Sequence, residues 1–348
     1  MAITPVTILT GFLGSGKTTL LKRILSESHG QKIAVIENEF GEENIDTEIL
    51  VTDSDEQIIQ MSNGCICCTI REDLRSTLAT LAVKKHEGLL HFDRVIIETT
   101  GLADPGPVAQ TFFMDDEVVE YYLLDSIVTL VDAKHAQLQL SDRQEARRQV
   151  GFADRIFVSK ADLVDGVALA ALTQRLRHMN PRAPIEMAHF GAVPLSQVLD
   201  LQGFNLNATL DIAPDFLAAD EHAHGACDDA HGNCGHASHA HSHHHHHDDD
   251  VKSFVYRAER PFDPARLENF LGAMVEKYGP NILRYKGVLH MHGTHRKVIF
   301  QGVHQVMGSD MGPAWKADEV RESKMVFIGI DLPKDILVQG LEQSLMVP

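Results

Sequence analysis

The sequence predicts an α/β protein, with a mainly parallel sheet covered by helices and a smaller α+β domain after it. Seven short apolar runs alternate with segments of helical periodicity up to about residue 199, and the composition then changes abruptly at 214–250. Further strand-like and helical segments follow. With 348 residues, the chain is long enough for two domains. We therefore expect domains at 1–213 and 251–348, joined by a linker at 214–250.

The expected strands of the first domain are continuous Val, Ile and Leu runs, as is typical of parallel strands buried on both faces. They cover residues 6–10, 32–37, 57–61, 94–99, 126–132, 155–160 and 184–188. A helix is expected at 69–86, because apolar residues recur there at spacings of four, four and three: Ile70, Leu74, Leu78 and Leu81. Another is expected within 141–153, which opens with Ser and Asp as a capping signal.

The linker and the second domain are distinguished by composition. Residues 214–250 hold eleven of the 21 histidines, two cysteines and almost no large apolar side chains. Such a segment buries too little apolar surface to offset its ordering entropy, so we expect disorder. Beyond it, Gly293 and Thr294 suit a tight hairpin turn between two strands. The second domain's elements are expected to be strands at 253–259, 282–292, 296–306 and 324–332, and helices at 264–278 and from about Lys334.

Charge and composition argue against several classes of protein. The 49 acidic and 31 basic residues give a net charge of −18 with no basic stripe, which disfavours nucleic-acid binding. The N-terminal residues lack the basic region and cleavage site of a signal peptide, and no run approaches the roughly 18 apolar residues of a membrane helix. We expect a cytoplasmic protein with no nucleic-acid or membrane partner, in which thiols stay reduced.

The stretch GFLGSGKTT at 11–19 fits the pattern G-x-x-x-x-G-K-[ST] through Gly11, Gly16, Lys17 and Thr18. It follows an expected strand and opens an expected helix, as this phosphate-binding motif requires. Backbone amides there point at phosphates, Lys17 reaches the β- and γ-phosphates, and Thr18 can ligate Mg²⁺. An ordinary glycine turn is the alternative, but it does not account for both flanking elements. The sequence therefore predicts a P-loop NTPase domain.

A second acidic element lies at the end of the expected strand at 94–99. Glu98 ends that apolar run, and Gly101 would suit a loop that moves with nucleotide state. Taken alone, a strand ending in a solvated carboxylate is the better explanation. Beside a P-loop, Glu98 is predicted to hold the metal's water shell or to sense the γ-phosphate.

The residues Ser159, Lys160 and Asp162 match the [N/T/S]-K-x-D pattern of GTPases, directly after an expected strand. The Asp carboxylate would accept two hydrogens from the guanine edge, and the Lys would lie along the purine face. Adenine offers no such pair of donors, so this element favours GTP over ATP. Lys-x-Asp is common on surfaces, and the prediction depends on its position downstream of the P-loop and Glu98.

Three of the five cysteines, Cys65, Cys67 and Cys68, lie in the stretch NGCICC after another expected strand. Clustered thiols in a reducing compartment indicate metal or redox chemistry rather than a disulfide framework. Small buried cysteines and a redox pair are the alternatives, but a vicinal disulfide is strained, and a thioredoxin-like pair does not belong to a P-loop fold. We favour metal ligation.

Carboxylates could complete that metal site. The stretch ENEFGEE places Glu37, Glu39 and Glu42 after the second strand, where P-loop GTPases carry their first switch. Thiolates with one or two carboxylates suit Zn²⁺ or a similar divalent ion, in a site open enough to release it. A solvated acidic loop is the simple alternative, and we accept it for Glu43.

The histidine-rich linker is a metal element of another kind. Many imidazoles on a tether would make weak, interchangeable sites that raise the local concentration of Zn²⁺, Ni²⁺ or Co²⁺. A purification tag and a pH sensor are the alternatives. The histidines of the second domain, among them His295 and His304, are assigned no metal. The weak auxiliary ligands of the linker are His243, His244, His245, His246 and His247.

In combination, these motifs make the chain resemble the CobW/YjiA-like family of metal-linked GTPases, relatives of the nickel-insertion GTPases that serve urease and hydrogenase. The resemblance rests on TGFLGSGKTTLL, AVIENEFGE, NGCICC, ETTGLADPGPV, SKAD, LRYKG and FQGV, and it spans nearly the whole chain. It implies a P-loop GTPase domain with a CobW-type C-terminal domain, slow GTP hydrolysis coupled to metal binding, and metal delivery to a client apo-metalloprotein. A nucleotide-dependent homodimer is a second partner to be considered.

The resemblance also implies roles for individual residues. Glu98 is the Walker-B-type acid, and Ser159, Lys160 and Asp162 lie on the guanine, with Ser159 departing from the commoner Asn or Thr. The phosphates and Mg²⁺ are bound by Gly11, Gly14, Ser15, Gly16, Lys17, Thr18 and Thr19. The transition metal is held by Glu37, Glu42, Cys67 and Cys68, with Cys65 a further candidate.

These residues suggest a mechanism. GTP and Mg²⁺ would order residues 38–43, bring the carboxylates toward the cysteines and tighten the metal site until hydrolysis releases it. No Gln or arginine finger can be assigned, so turnover is expected to be slow, with Glu39 as a candidate for orienting water. A metal buffer with nucleotide as an accessory and a small-molecule kinase are the rival functions.

Overall fold

The computed structural model describes residues 3–27, 30–38, 58–61, 69–204, 250–316 and 319–347. The strands of the first part are β1 (Thr4–Gly11), β2 (Ile33–Asn38), β3 (Ile58–Met61), β4 (Arg94–Glu98), β5 (Tyr122–Asp132), β6 (Arg155–Ser159) and β7 (Ile185–Ala188). Its helices are α1 (Lys17–Ser26), α2 (Thr69–His86), α3 (Pro105–Met114), α4 (Asp116–Tyr121), α5 (Ala136–Asp142), α6 (Gln144–Phe152) and α7 (Gly166–Met179). None of the helices in these ranges is long and apolar enough to span a membrane.

The seven strands form one parallel sheet in the order β3-β2-β4-β1-β5-β6-β7. Alternate residues of β1 enter different cores, because Val6 and Ile8 pack on one side of the sheet and Leu9 packs with α1 on the other. This two-sided burial explains the continuous apolar runs. The predicted α/β fold class is confirmed, and the loops that follow β1, β4, β5 and β6 meet at the carboxyl edge of the sheet.

The predicted helix at 69–86 is confirmed, but the one predicted within 141–153 starts at the wrong place. Ser141 and Asp142 end α5, and α6 begins at Gln144 after an extended Arg143. Leu140 and Ala146 both pack in the same core. In one continuous helix these two residues would lie about 120° apart around the axis, so the break at Arg143 lets both face inward.

The second sheet is antiparallel, in the order β11-β10-β9-β12-β8. Its elements are β8 (Val251–Ala258), α8 (Pro264–Tyr278), β9 (Ile282–Leu289), β10 (Arg296–Val303), β11 (Val306–Ala314), β12 (Ser323–Ile330) and α9 (Lys334–Gln343). The two helices pack with the sheet around aromatic residues such as Phe300 and Phe327. The predicted α+β character is thus confirmed.

Two features of the second sheet differ from the prediction. The edge strand β11 was not predicted, because its sequence VMGSDMGPA shows no strand periodicity and holds two glycines and a proline. The connection from Leu289 to Arg296 is longer than a tight two-residue hairpin, although Gly293 does adopt a positive φ of 80° within it. The two-residue turn lies instead at His304 and Gln305, between β10 and β11.

A buried ion pair joins the second sheet to the first part of the chain. The Arg284 guanidinium on β9 pairs with Asp154, which follows α6, and donates to the carbonyl oxygen of Phe152 at 2.8 Å. Arg182 pairs with the same carboxylate. Burial acts to raise the pKa of Asp154, but the two guanidinium groups outweigh it and lower the pKa. The carboxylate is therefore charged where the two sheets are joined.

Candidate nucleotide-binding site

The loop between β1 and α1 has the backbone conformation of a phosphate cradle. Gly11, Gly14 and Gly16 have positive φ angles of 141°, 73° and 101°. No side chain caps the first turn of α1, so its amides are available to an anion at the start of the helix. The buried Ser15 hydroxyl has no hydrogen-bond partner among the described residues. These donors suit a phosphate group.

Lys17 is buried at the start of α1, and its ammonium group points back into the loop. The Nζ atom donates to the carbonyl oxygen of Gly11 at 2.9 Å and lies 3.5 Å from that of Phe12. Burial lowers the pKa of Lys17, while the nearby Glu98 carboxylate opposes this effect. An anion at the loop would bring the ammonium group a second negative partner.

Glu98 ends β4, the strand next to β1, and its Oε1 accepts a hydrogen bond of 3.1 Å from the Thr18 hydroxyl. A hydroxyl and a carboxylate beside a phosphate loop are the hard oxygen donors that Mg²⁺ prefers. The two side chains therefore fit the predicted Mg²⁺ site. Thr19, also predicted to bind, is exposed on the first turn of α1.

The loop from Thr99 to Asp104 runs directly beside the phosphate loop. Its Gly101 lies so close to Leu13 that an added Cβ would stand 2.5 Å from the Leu13 nitrogen. The buried Gln149 side chain of α6 donates to the carbonyl oxygens of Gly101 and Ala103 at 3.1 and 3.0 Å. A larger residue at position 101 would push the two loops apart.

The predicted base-binding element follows β6. The Ser159 hydroxyl donates to the Ser15 carbonyl oxygen at 2.6 Å, so it connects this element to the phosphate loop. Lys160 adopts a left-handed φ of 54°, and its Nζ donates to the carbonyl oxygen of Gly14 at 2.8 Å and to Asp132 at 2.7 Å. The Lys160 side chain is thereby held across the phosphate loop.

Asp132, at the end of β5, holds Lys160 in place. Its carboxylate also contacts His135 at 2.9 Å and accepts from the Lys134 amide at 2.9 Å. Burial acts to raise the pKa of Asp132, but the hydrogen bonds from Lys160, His135 and the Lys134 amide lower it. The carboxylate is therefore charged near neutral pH. Its position at the end of an apolar strand was a signal that the sequence prediction overlooked.

Asp162 lies in a short helical turn after Lys160, with about half of its side chain exposed. The loop that follows β7 brings His189 to within 3.6 Å of this carboxylate. Phe190 follows, with a strained φ of 49° and 77% of its surface exposed. Its ring meets that of His189 edge to face. Neither residue was predicted, because no motif marks this loop. The exposed ring of Phe190 offers a face on which a nucleotide base can stack.

The predicted transition-metal site is only partly within the described residues. Glu37 lies at the carboxyl end of β2, in register with Glu98 on β4, so the two carboxylates stand on neighbouring strands. Glu39, Glu42, the three clustered cysteines and the five linker histidines lie outside the described residues. Among those that are described, no three His, Cys, Asp or Glu residues come together as a metal site.

Comparison with known families agrees with this geometry. The model of the CobW/HypB/UreG nucleotide-binding domain matches residues 5–186, and that of the cobalamin synthesis protein cobW C-terminal domain matches residues 251–345. The chain belongs to the CobW/HypB/UreG family. The predicted family is confirmed, and the parallel sheet with its loop at 11–16 is the family's P-loop NTPase domain.

Several members of the CobW/HypB/UreG family resemble the chain over most of its length. The zinc chaperone YjiA of Escherichia coli is 39% identical, with 95% of each chain covered. The zinc chaperone CobW of Pseudomonas aeruginosa is 32% identical and covers 99% of this chain and 92% of its own. A crystal structure of zinc-bound YjiA GTPase from E. coli is 33% identical, with a TM-score of 0.76 over 99% of this chain and 100% of that one.

Proposed function

We propose that this protein is a GTPase that binds zinc, couples GTP binding and hydrolysis to zinc affinity, and transfers the metal to a client protein. The observation that carries this proposal is the register of Glu37 with Glu98 across β2 and β4. The backbones of neighbouring strands lie about 5 Å apart, so a predicted metal ligand is on the strand next to Glu98, whose carboxylate accepts a hydrogen bond from Thr18. We expect a nucleotide-dependent movement of Glu98 to change the position of Glu37 as well.

The phosphate loop would bind GTP through its amides, the Lys17 ammonium group and the Ser15 hydroxyl. Thr18 and Glu98 would hold Mg²⁺, which neutralises charge on the β- and γ-phosphates when bound. The Lys17 ammonium would exchange its contact with the Gly11 carbonyl for the phosphate oxygens. The flanking residues Gly14, Gly16 and Thr19 complete the proposed phosphate site.

The base would lie between Lys160 and the loop after β7. Asp132 positions Lys160, and Asp162 would accept the two guanine hydrogens once the base displaces His189. Phe190 would then stack on the purine ring from the open side. Because its hydroxyl is bonded to the phosphate loop, Ser159 would act on the base indirectly.

The zinc ion is cargo rather than a resident cofactor in this proposal. Its proposed ligands are Glu37, Glu42, Cys67 and Cys68, with Cys65 as a further thiolate, and the linker histidines would supply weak auxiliary sites. Zinc is favoured over cobalt and nickel because the relatives named above are zinc chaperones and thiolates suit zinc. These thiolates need a reducing compartment, so we place the activity in the cytoplasm.

Hydrolysis would loosen the site by releasing the segment that holds Glu42. Glu39, in the same segment, is the proposed group that orients the attacking water. We expect slow turnover, because no arginine finger is assigned, until a client or a second copy of the chain completes the site. The domain bounds 1–213 and 251–348, with the linker at 214–250 between them, are part of the same proposal.

Zinc titration in different nucleotide states tests the coupling. The full-length protein is titrated with zinc, against a competing chelator, in the presence of GDP and then of a non-hydrolysable GTP analogue with Mg²⁺. We expect at least tenfold tighter zinc binding with the analogue, and reciprocally tighter analogue binding with zinc. The matched control is Lys17→Ala, which should bind zinc equally in both conditions.

Three results would contradict the proposal in different ways. Equal zinc affinity in both nucleotide states removes the coupling. Binding of several zinc ions per chain without nucleotide dependence identifies a metal buffer. A phosphorylated acceptor instead of GDP and inorganic phosphate identifies a kinase.

A further inference from the structure

His304 is a buried histidine of the second sheet that reaches the first. It occupies the two-residue turn between β10 and β11, with a left-handed φ of 51°, and is only 8% exposed. Its ring packs edge to face on Phe152, the last residue of α6, with the ring centroids 5.1 Å apart. A polar side chain from the C-terminal domain therefore enters the core between the two parts of the chain.

The ring also lies against the first turn of α3. An added Cβ on Gly106 would stand 2.6 Å from Nε2 of His304, so glycine is required for the two elements to approach this closely. Nδ1 of His304 lies 3.3 Å from the Gly279 carbonyl oxygen, which can only accept a hydrogen bond. Burial lowers the pKa of His304, while the nearby Asp104 carboxylate opposes this effect. If Nδ1 donates to the Gly279 carbonyl oxygen of a neutral ring, Nε2 is left to face α3 as an acceptor.

The first turn of α3 is the anchored end of the loop from Thr99 to Asp104. Asp104 caps α3 by accepting from the Gly106 amide at 2.9 Å, and it forms an ion pair with Arg148 of α6. One residue further along α6, Gln149 holds the carbonyl oxygens of Gly101 and Ala103. A displacement of Gly106 would therefore be passed to the stretch beside Leu13 of the phosphate loop.

Helix α6 also contacts the C-terminal domain through other residues. Arg147 pairs with Asp250 just before β8, an added Cβ on Gly151 would stand 2.5 Å from Leu283, and the Phe152 carbonyl oxygen accepts from Arg284. α6 therefore touches the loop at 99–104 on one side and the second sheet on the other. His304 of the C-terminal domain contacts both α6, at Phe152, and α3, at Gly106.

We propose that His304 is a positioning residue for the GTPase reaction: through Gly106 it fixes the start of α3, and thereby the loop that runs from Glu98 to the phosphate site. The C-terminal domain then sets how well this loop responds to the γ-phosphate. A client that moves the β10–β11 turn changes the rate of hydrolysis. This inference rests on the proposed GTPase function and adds a role for the second domain in it.

A purely structural role for His304 can be separated from this one by the choice of substitution. His304→Asn keeps a residue that tolerates the left-handed conformation and an amide that can donate to Gly279, but it is too short to reach Gly106. His304→Gln restores the length. His295→Asn is the matched control, because His295 is exposed and lies just before β10, at the end away from His304.

The measurements are kcat for GTP hydrolysis at saturating GTP, and the dissociation constants of GDP and of a non-hydrolysable GTP analogue, all on the full-length protein. For His304→Asn we expect kcat to fall about tenfold, because the loop at 99–104 beside the phosphate site is misplaced. The affinity for the analogue should fall about fivefold while that for GDP changes less than twofold. His304→Gln should recover part of kcat, and His295→Asn should match the wild type.

The proposal is overturned if His304→Asn keeps kcat and the ratio of the two dissociation constants within twofold of the wild type. It is also overturned if GDP and the analogue lose affinity equally, since that indicates general loosening of the fold. Failure of the proposed function itself looks different, because the wild-type protein would then bind no GTP and release no phosphate.

Discussion

The nucleotide edge of the first sheet and the junction between the two sheets are built in different ways. At the nucleotide edge, the short loops after β1, β4 and β6 each contribute side chains that are close together in sequence. At the junction, α6, α3 and β9 meet through single residues such as Asp154, Arg284 and His304, which are far apart in sequence. The first region is local in sequence, and the second is not.

This difference teaches where the sequence signal is to be found. A phosphate loop needs its glycines, lysine and threonine at fixed spacing, because one turn of backbone must surround one phosphate group. A buried ion pair between domains only needs two groups that meet after folding. Substitutions in the phosphate loop should therefore change nucleotide binding and hydrolysis, whereas loss of the ion pair at the junction should change the stability of the fold.

The largest effect is expected at the junction. Asp154→Ala leaves the buried guanidinium groups of Arg284 and Arg182 without their carboxylate, and loss of one partner of such a pair costs about 3–5 kcal/mol. Denaturant unfolding of the full chain measures this loss. Glu27→Ala, which breaks the exposed pair with Arg23 on α1, should cost less than about 1 kcal/mol. Equal losses for both would mean that the junction is not specially stabilised by this pair.

At the nucleotide edge, Gly101→Ala should have the next largest effect. The new Cβ would meet backbone atoms of Leu13 at 2.5 to 2.7 Å, and relieving such a clash costs about 1–3 kcal/mol. We expect GTP hydrolysis to fall by about two orders of magnitude at saturating GTP, as measured by phosphate release. Gly272→Ala on α8 is the control, because its Cβ would meet nothing within 4 Å apart from the backbone of its own helix.

The pH dependence of unfolding tests a second charged group at the junction, Lys286 of β9, which lies near Arg284, Arg182 and Asp154. Burial, followed by the repulsion of Arg182 and Arg284, lowers the pKa of Lys286 to about 7. The unfolded chain, with a lysine pKa near 10.4, binds more protons between these values, so stability should rise with pH.

Because of Lys286, the free energy of unfolding should fall as the pH falls from about 10 to 7, by at most about 1.4 kcal/mol per pH unit. Unfolding free energies of the wild type and Lys286→Met, measured at pH 7, 8 and 9, give the difference. The advantage of the methionine variant should be greatest at pH 7 and shrink as the pH rises. Parallel curves for the two proteins would contradict a neutral Lys286.

The smallest effect is expected at the base site. Phe190→Ala removes an exposed ring beside Asp162, and stacking of one base on an aromatic ring is worth about 1–3 kcal/mol. We expect the dissociation constant of GDP to rise about fivefold in an equilibrium titration. Val167→Ala, an equally exposed apolar residue on α7, should leave it unchanged. If both variants bind GDP as the wild type does, the base does not stack on Phe190.

The sequence predicted the fold class, all seven strands of the parallel sheet and the helix at 69–86. Its errors lie where a pattern is weak or ambiguous. The edge strand β11 has no periodicity, and the Ser-Asp pair at 141–142 resembles a cap but ends a helix. For the candidate nucleotide site, the sequence predicted residues from Gly11 to Thr18, Glu98 and the 159–162 element. The structure adds neighbours that no motif marked: Asp132, Gln149, His189 and Phe190.

By itself, the sequence determined the family and the class of nucleotide chemistry, and it predicted which residues would bind the phosphate, because these features depend on chain segments a few residues long. Only the tertiary structure decided that Glu37 stands beside Glu98, that Asp132 holds Lys160, and that His304 packs on Gly106. Such contacts join residues separated by 28 to 198 positions. Strand order and packing bring these residues together, and a pattern within a few residues of sequence cannot predict which distant residue each one contacts.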